Sequence, residues 1–301
     1  MKKIISIDGG GIRGIIPAVI LSHVEQRLQS SLANKIDLAA GTSTGSILAA
    51  GISNGVPMED IIKFYKEKGP SIFQPSFEHK LLSLWGLIGS KYDIEQLRIK
   101  LNAVFGDQTL DKLNVNFLST AYNLSKGKVK FFTNKDRNVF LYEAVLASCA
   151  APTYFTPVDI NGSNYADGGL FASNPSMAAF AELKNLYNST ADDIFLFSLG
   201  TGSSLKPYKN TANWIKLQWL SPLISIMVNS DSGATHYQLT KIYQSINKKD
   251  NYFRINGNLP RNVDPAMDCA TPRNMKNLLD YAYHLVSQHK YKLDKIVECL
   301  Q

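Results

Sequence analysis

The sequence predicts an α/β fold, with a central, largely parallel sheet and helices on both faces. Three observations predict it. Residues 3–7 form a short apolar run that ends in a glycine loop, Asp8-Gly9-Gly10-Gly11-Ile12-Arg13-Gly14, and a helix-forming stretch follows. A second apolar run, residues 36–40, ends at Gly41 and turns through Thr42-Ser43-Thr44 to Gly45 and another helix-forming stretch. Beyond these, runs of strand and helix character alternate with no linker or repeat, so residues 1–301 read as a single domain. The glycine loop and the Ser43 turn follow neighbouring strands. They should therefore meet at the carboxyl edge of the sheet, where folds of this class place their sites.

Composition bounds the rest. Of 301 residues, 45% are hydrophobic and 19% charged, which fits a chain with a substantial core and excludes a disordered one. Cys149, Cys269 and Cys299 are odd in number and lack metal-ligand spacing. A disulfide framework is not expected, and a reducing compartment is. The amino-terminal sequence does not read as a signal peptide, because Asp8 and the glycines come too early. No apolar run is long enough to span a bilayer. The expected location is cytoplasmic or peripheral to a membrane, and delivery without a cleaved signal would leave no trace in the sequence. The net charge of +7 permits attraction to anionic surfaces. The densest basic group, Lys126, Lys128, Lys130, Lys135 and Arg137, reads as the solvated face of a hairpin rather than a nucleic-acid patch.

Taken in order, strand 3–7 and its loop lead to a helix with Ile16, Val19, Ile20, Val24 and Leu28 at helical spacing. Pro17 sits in its first turn, where proline is tolerated. After the Ser43 turn and its helix, Asn54-Gly55 marks a turn. Pro57 opens a helix to Lys68, which Gly69 stops. Residues 70–90 are apolar and broken by Pro and Gly, and are read as an excursion covering the core in preference to a flap over an apolar substrate. Asp93 caps a helix ending at Gly106. Residues 114–122 and 128–133 form a hairpin, 139–150 a helix, and 154–160 with 163–166 a second hairpin turned by Asn161-Gly162. That hairpin delivers Asp167-Gly168-Gly169. A helix from Pro175 to Tyr187, a buried strand 193–199 ending in Gly200-Thr201-Gly202, helices over 231–247 and 273–298 and a short strand at 251–255 complete the chain. Residues 211–229, rich in Trp, Leu and Ile, are read as core in preference to a membrane-interface helix.

Gly41-Thr-Ser43-Thr-Gly45 has the G-x-S-x-G spacing of a nucleophile elbow, in which a strand turns sharply into a helix and presents a serine at the apex. Gly9, Gly11 and Gly14 match a dinucleotide fingerprint literally, but the acidic residue that fingerprint needs about 20 positions on is replaced by a helix. The lysine of a phosphate loop is absent too. The use that remains for the loop is an oxyanion hole built from Gly9, Gly10 and Gly11, with Arg13 holding its shape or adding positive potential. A surface ion pair is the other use of Arg13. Five histidines are available as a base, none in a glycine-bounded loop, and His284 and His289 read as surface residues. Asp167 leaves a strand ahead of two glycines, so its carboxylate stands free of neighbouring side chains.

Three separated motifs, Asp8-Gly-Gly-Gly-Ile-Arg13-Gly14, Gly41-Thr-Ser43-Thr-Gly45 and Asp167-Gly168-Gly169, together resemble the patatin-like phospholipase family. Ala150-Ala151-Pro152, Asn174-Pro175 and Ser198-Leu199-Gly200-Thr201-Gly202 echo it. The likeness covers about residues 3–202, and the mainly helical tail 203–301 resembles the family less. The resemblance implies a three-layer α/β/α sandwich and a Ser–Asp dyad without histidine. Ser43 would be the nucleophile and Asp167 the base, with Gly10 and Gly11 the leading oxyanion donors. Gly41, Gly45, Gly168 and Gly169 would support the turns. It also implies hydrolysis of lipid acyl esters without a metal or other cofactor. The expected partner is a lipid substrate at a membrane surface and not a nucleic acid polymer. Some bacterial members are switched on by a host cofactor or a cyclic nucleotide, and the sequence shows no sign of either. The rival expectation is a binding, storage or nucleotide-gated protein that keeps the fold with little turnover.

Overall fold

A computed structural model describes residues 1–74, 90–204, 211 and 216–301. Its strands are β1 (Lys2–Ile7), β2 (Leu38–Gly41), β3 (Asn116–Asn123), β4 (Lys128–Thr133), β5 (Val158–Ile160), β6 (Ser163–Asp167), β7 (Ile194–Leu199) and β8 (Tyr252–Ile255). The α-helices are α1 (Ile15–Leu28), α2 (Thr44–Ser53), α3 (Met58–Ile72), α4 (Ile94–Phe105), α5 (Leu141–Cys149), α6 (Ser176–Tyr187), α7 (Lys216–Ser245), α8 (Pro272–Gln288) and α9 (Lys290–Leu300).

The strands form one sheet in the order β5-β6-β3-β2-β1-β7-β8, with β4 on the outer side of β3. β3, β2, β1, β7 and β8 run parallel, while β4, β5 and β6 add antiparallel pairing at one end. The central strands alternate in side-chain direction but are buried at both parities, β2 and β7 throughout, so both faces of the sheet's middle are covered. Ile5 and Ile7 face a large core shared with α1, α3, α8 and α9. Ile4, Leu38, Ala40 and Leu118 face a second core closed by Ala179, Phe180 and Leu183 of α6 and by Leu239 and Tyr243 of α7. Three layers result, as expected.

Local signals set most boundaries. Asp93 caps α4 by accepting from the Glu95 N–H at 2.9 Å. Asn161 and Gly162 take φ of 52° and 75°, the left-handed pair that turns a two-residue hairpin. Two expectations fail for tertiary reasons. α3 does not stop at Gly69 but runs to Ile72, through Pro70. Gly69 serves a close approach to the glycine loop instead, since a Cβ there would lie 2.6 Å from Ile12 Cδ1. Residues 211–229 do not form a uniformly buried segment. From Lys216 they form the first half of α7, on which Trp219 and Leu223 are 40% and 46% exposed. The lid-or-core question for 70–90 falls mostly on 75–89, outside the described residues. Among the described residues no helix is long and apolar enough to cross a membrane.

The basic group lies on the β3–β4 hairpin and the turn that follows it. There Lys130 pairs with Asp136, and Lys135 with Glu182 at 2.8 Å.

Candidate active site

The parallel pairing of β1 with β2, Ile7 opposite Gly41, brings the ends of both strands to one place. Ser43 follows with φ 53° and ψ −124°, a conformation that a residue with a side chain rarely adopts. The flanking glycines are what allow it. A Cβ on Gly41 would lie 2.1 Å from the Gly45 carbonyl oxygen, and one on Gly45 would lie 2.2 Å from the Ile7 carbonyl oxygen. Both obstacles are backbone and cannot swing away. α2 begins at Thr44, immediately after the serine, and the Ser43 N–H donates to Ser148 Oγ at 2.9 Å.

Asp167 reaches the same place from the other direction. β4 and β2 both pair with Ser119 of β3, so they occupy opposite edges of it. β4 and β6 both pair with Ala121, so β6 shares the edge used by β2. β2 is parallel to β3 and β6 antiparallel. Gly41 and Asp167 therefore meet head to head along one edge, opposite Ser119 and Ala121 with only Thr120 between. Thr42 Oγ1 bonds Thr120 Oγ1 at 2.7 Å across this junction. A Cβ on Gly168 would strike Thr120, 2.0 Å from its Oγ1.

The Asp167 carboxylate is buried and accepts the Gly169 N–H at 2.6 Å. Burial pushes its pKa up from 3.8 to about 6, against the lowering effect of the Gly169 N–H and of the Ser43 hydroxyl within hydrogen-bonding reach. At pH 7 it is a carboxylate with raised basicity, beside a serine. No histidine lies in the cleft among the described residues. His236 bonds the Tyr252 hydroxyl at 2.9 Å instead, and His79 lies outside the described residues.

The glycine loop divides its N–H groups. Gly9 donates to the Ser173 carbonyl at 2.9 Å and Ile12 to the Met267 carbonyl at 2.8 Å. Gly9 is therefore not an oxyanion donor, contrary to the sequence expectation, because a packed loop consumes its hydrogen. The N–H groups of Gly10 and Gly11 have no acceptor among the described residues, and both glycines line the cleft. The Thr44 N–H, the first of α2, likewise has no acceptor among the described residues and lines the cleft. Arg13 is buried, not part of a surface ion pair. Its Nε donates to the Gly10 carbonyl at 3.3 Å, and desolvation brings its pKa down to about 10, so it stays charged at neutral pH. A trans peptide points its C=O and N–H in opposite directions. By fixing the Gly10 carbonyl, Arg13 aims the Gly11 N–H away from itself.

These groups line one cleft, partly open to solvent. Phe64, Ile72, Phe73, Leu97 and Phe155 make its walls apolar. Cys149 sits in it beside Ser43, but burial pushes its thiol well above the usual range and keeps it protonated. Among the described residues no cluster has the make-up of a metal site.

Sequence reasoning missed the contribution of the last third of the chain. Arg254 of β8 forms a buried ion pair with Asp8 (Nη2–Oδ2 2.5 Å, Nη1–Oδ1 3.2 Å) and donates to Ser198 and Ser232. This anchors the residue from which the glycine loop departs. A lone arginine in an otherwise apolar strand was the available signal, but nothing in one dimension paired it with Asp8. The Met267 carbonyl that holds Ile12 belongs to a loop tied down by Asp268, which accepts from the Tyr92 hydroxyl at 2.8 Å and pairs with Lys91 at 2.5 Å.

Comparison with known proteins supplies an independent line. The family described as Patatin-like phospholipase matches residues 5–180. "Probable inactive patatin-3-Kuras 1" of Solanum tuberosum is 31% identical over 96% of this chain and 87% of its own length. "Patatin-17" of Solanum cardiophyllum is 30% identical over 96% and 84%. "Patatin-like protein 2" of Arabidopsis thaliana is 30% identical over 91% and 80%. Among solved structures, human GIVD cytosolic phospholipase A2 aligns with TM-score 0.46 at 10% identity, over 99% of this chain and 58% of that one. VipD from Legionella pneumophila aligns with TM-score 0.45 at 14% identity, over 96% and 67%.

Proposed function

Given that the chain belongs to the patatin-like phospholipase family, we propose that it is a serine lipid acyl hydrolase, cleaving ester-linked fatty acids from phospholipid, lysophospholipid or galactolipid. The observation that carries this reading is the meeting of Ser43, in its strained apex conformation, with the buried Asp167 carboxylate in one apolar cleft.

In this reading the Ser43 hydroxyl attacks the ester carbonyl and passes its proton to Asp167. The Gly10 and Gly11 N–H groups receive the developing oxyanion, with the α2 N-terminus and Arg13 adding positive potential. Collapse breaks the ester bond. The departing alcohol takes the proton from Asp167, and the acyl group stays on Ser43. Water then attacks the acyl-enzyme, Asp167 again accepting the proton; collapse breaks the bond to Ser43 Oγ, which takes that proton back from Asp167 as the fatty acid leaves. The raised pKa suits this role, since the group is mostly ionised at pH 7 yet a better base than a solvated aspartate.

The rival is a patatin-fold binding or storage protein with little turnover. Labelling with a fluorophosphonate separates the two, because only an activated serine reacts quickly. Wild type should label and should release fatty acid from a mixed lipid extract, read by mass spectrometry. Ser43→Ala and Asp167→Asn should do neither while remaining folded. Wild type that is inert to both reagent and lipid would support the binding protein.

A further inference from the structure

Thr201 stands in the Ser198-Leu199-Gly200-Thr201-Gly202 stretch that ends β7 and leaves it, outside the matched residues 5–180 and without a part in the chemistry above. It is buried, 4% exposed, and its hydroxyl donates to the Gly9 carbonyl at 2.7 Å. It also packs on the next residue, since a Cβ on Gly10 would lie 2.1 Å from Thr201 Oγ1.

We propose that Thr201 is a positioning residue that aims the Gly10 N–H at the reacting ester oxygen. Peptide geometry carries this step. The Gly9 carbonyl and the Gly10 N–H belong to one trans peptide and point in opposite directions. Thr201 holds the carbonyl on the side away from the cleft, which Gly10 lines and Thr201 does not. The Gly10 N–H is thereby turned to the cleft side, where it has no acceptor among the described residues. Without the anchor, glycines on both sides of that peptide leave it free to rotate. Two successive donors are then aimed by two separate anchors: Gly10 by Thr201 through the Gly9 carbonyl, and Gly11 by Arg13 through the Gly10 carbonyl. The contact also gives a reason for glycine at position 10 beyond room for substrate, because any side chain there would push the Thr201 hydroxyl off its acceptor.

The inference rests on the loop being the oxyanion hole, so its test has two independent readings. Thr201→Val keeps the shape and removes the donor, Thr201→Ser keeps the donor, and Thr201→Ala is the fallback should valine disturb folding, which thermal melting will show. With p-nitrophenyl butyrate, Thr201→Val should lose about tenfold or more in kcat, short of the hundredfold or greater loss of deleting a donor outright. KM and the pH profile should stay near those of wild type, since neither the ester-binding walls nor Asp167 is touched. Thr201→Ser should keep most of kcat. Crystal structures of the valine and serine variants read the Gly9–Gly10 peptide without reference to turnover: rotated in the first, retained in the second. A folded Thr201→Val protein with wild-type kcat, or with the peptide unmoved, overturns the proposal, and so does a serine variant as damaged as the valine one. If wild type cleaves no ester while the peptide rotates as stated, the hydrolase reading and the aim at an ester oxygen both fail, and what stands is that Thr201 orients the Gly9–Gly10 peptide.

Discussion

Asp167→Asn should make the protein inactive and more stable at neutral pH, both from the same cause. Burial holds the Asp167 pKa at about 6 against 3.8 for a solvated aspartate. Folding therefore favours the protonated carboxyl. The stabilisation this gives is fully present below about pH 3.8 and is lost as pH rises to about 6, beyond which the folded protein carries a buried carboxylate. At 1.36 kcal/mol per pH unit the span corresponds to about 3 kcal/mol, an upper bound because the surroundings relax. Asparagine does not titrate, and its oxygen can still accept the Gly169 N–H. Denaturant unfolding of both proteins from pH 4 to pH 8 should show the variant gaining about 2–3 kcal/mol over wild type as pH rises. The wild-type kcat/KM should follow the same ionisation, falling below pH 6 to roughly a tenth of its pH 7 value at pH 5. A variant whose stability relative to wild type does not change with pH, or a wild type fully active at pH 4.5, would refute the buried-base reasoning.

Gly45→Ala should cost about 3 kcal/mol or more and leave little folded enzyme, since the new methyl meets the Ile7 carbonyl rather than a movable side chain; melting temperature checks this. Arg254→Gln should destabilise by about 3–5 kcal/mol by leaving Asp8 buried and uncompensated. Asp8→Asn combined with it should restore much of the loss, read as a coupling energy in denaturant titrations. Single alanine changes at His23, His236, His284 and His289 should each keep most esterase activity. A folded variant losing a hundredfold or more would reinstate a histidine base, whose contribution is of about that size or larger.

How much was legible in the sequence varied with the range of the interaction. The elbow glycines, the Asn161-Gly162 turn and the Asp93 cap are local devices, in which a few consecutive residues satisfy one another's geometry. Local signals misled at Gly69, where contact with Ile12 of the glycine loop set the residue and not a stop, and over 211–229, where apolar composition gave no direction for the faces of α7. The oxyanion loop shows the limit at atomic scale. Three glycines in a row announced that bare N–H groups approach something, but that the Gly9 N–H is taken depended on a carbonyl far along the chain, at Ser173.

By itself, then, the sequence determined the layered α/β class, the Ser43 apex and the glycine loop. Hydrophobic period, glycine placement and turn chemistry act over a few residues and need no knowledge of the partner. Only the tertiary structure decided that β2 and β6 meet head to head on β3, that Asp8 is held by Arg254, and that Arg13 and Thr201 hold the carbonyls behind Gly10 and Gly11. Strand order, buried ion pairing and peptide orientation are set by which distant groups satisfy each other once water is excluded. A one-dimensional pattern carries the residues for such pairings but not the pairings themselves.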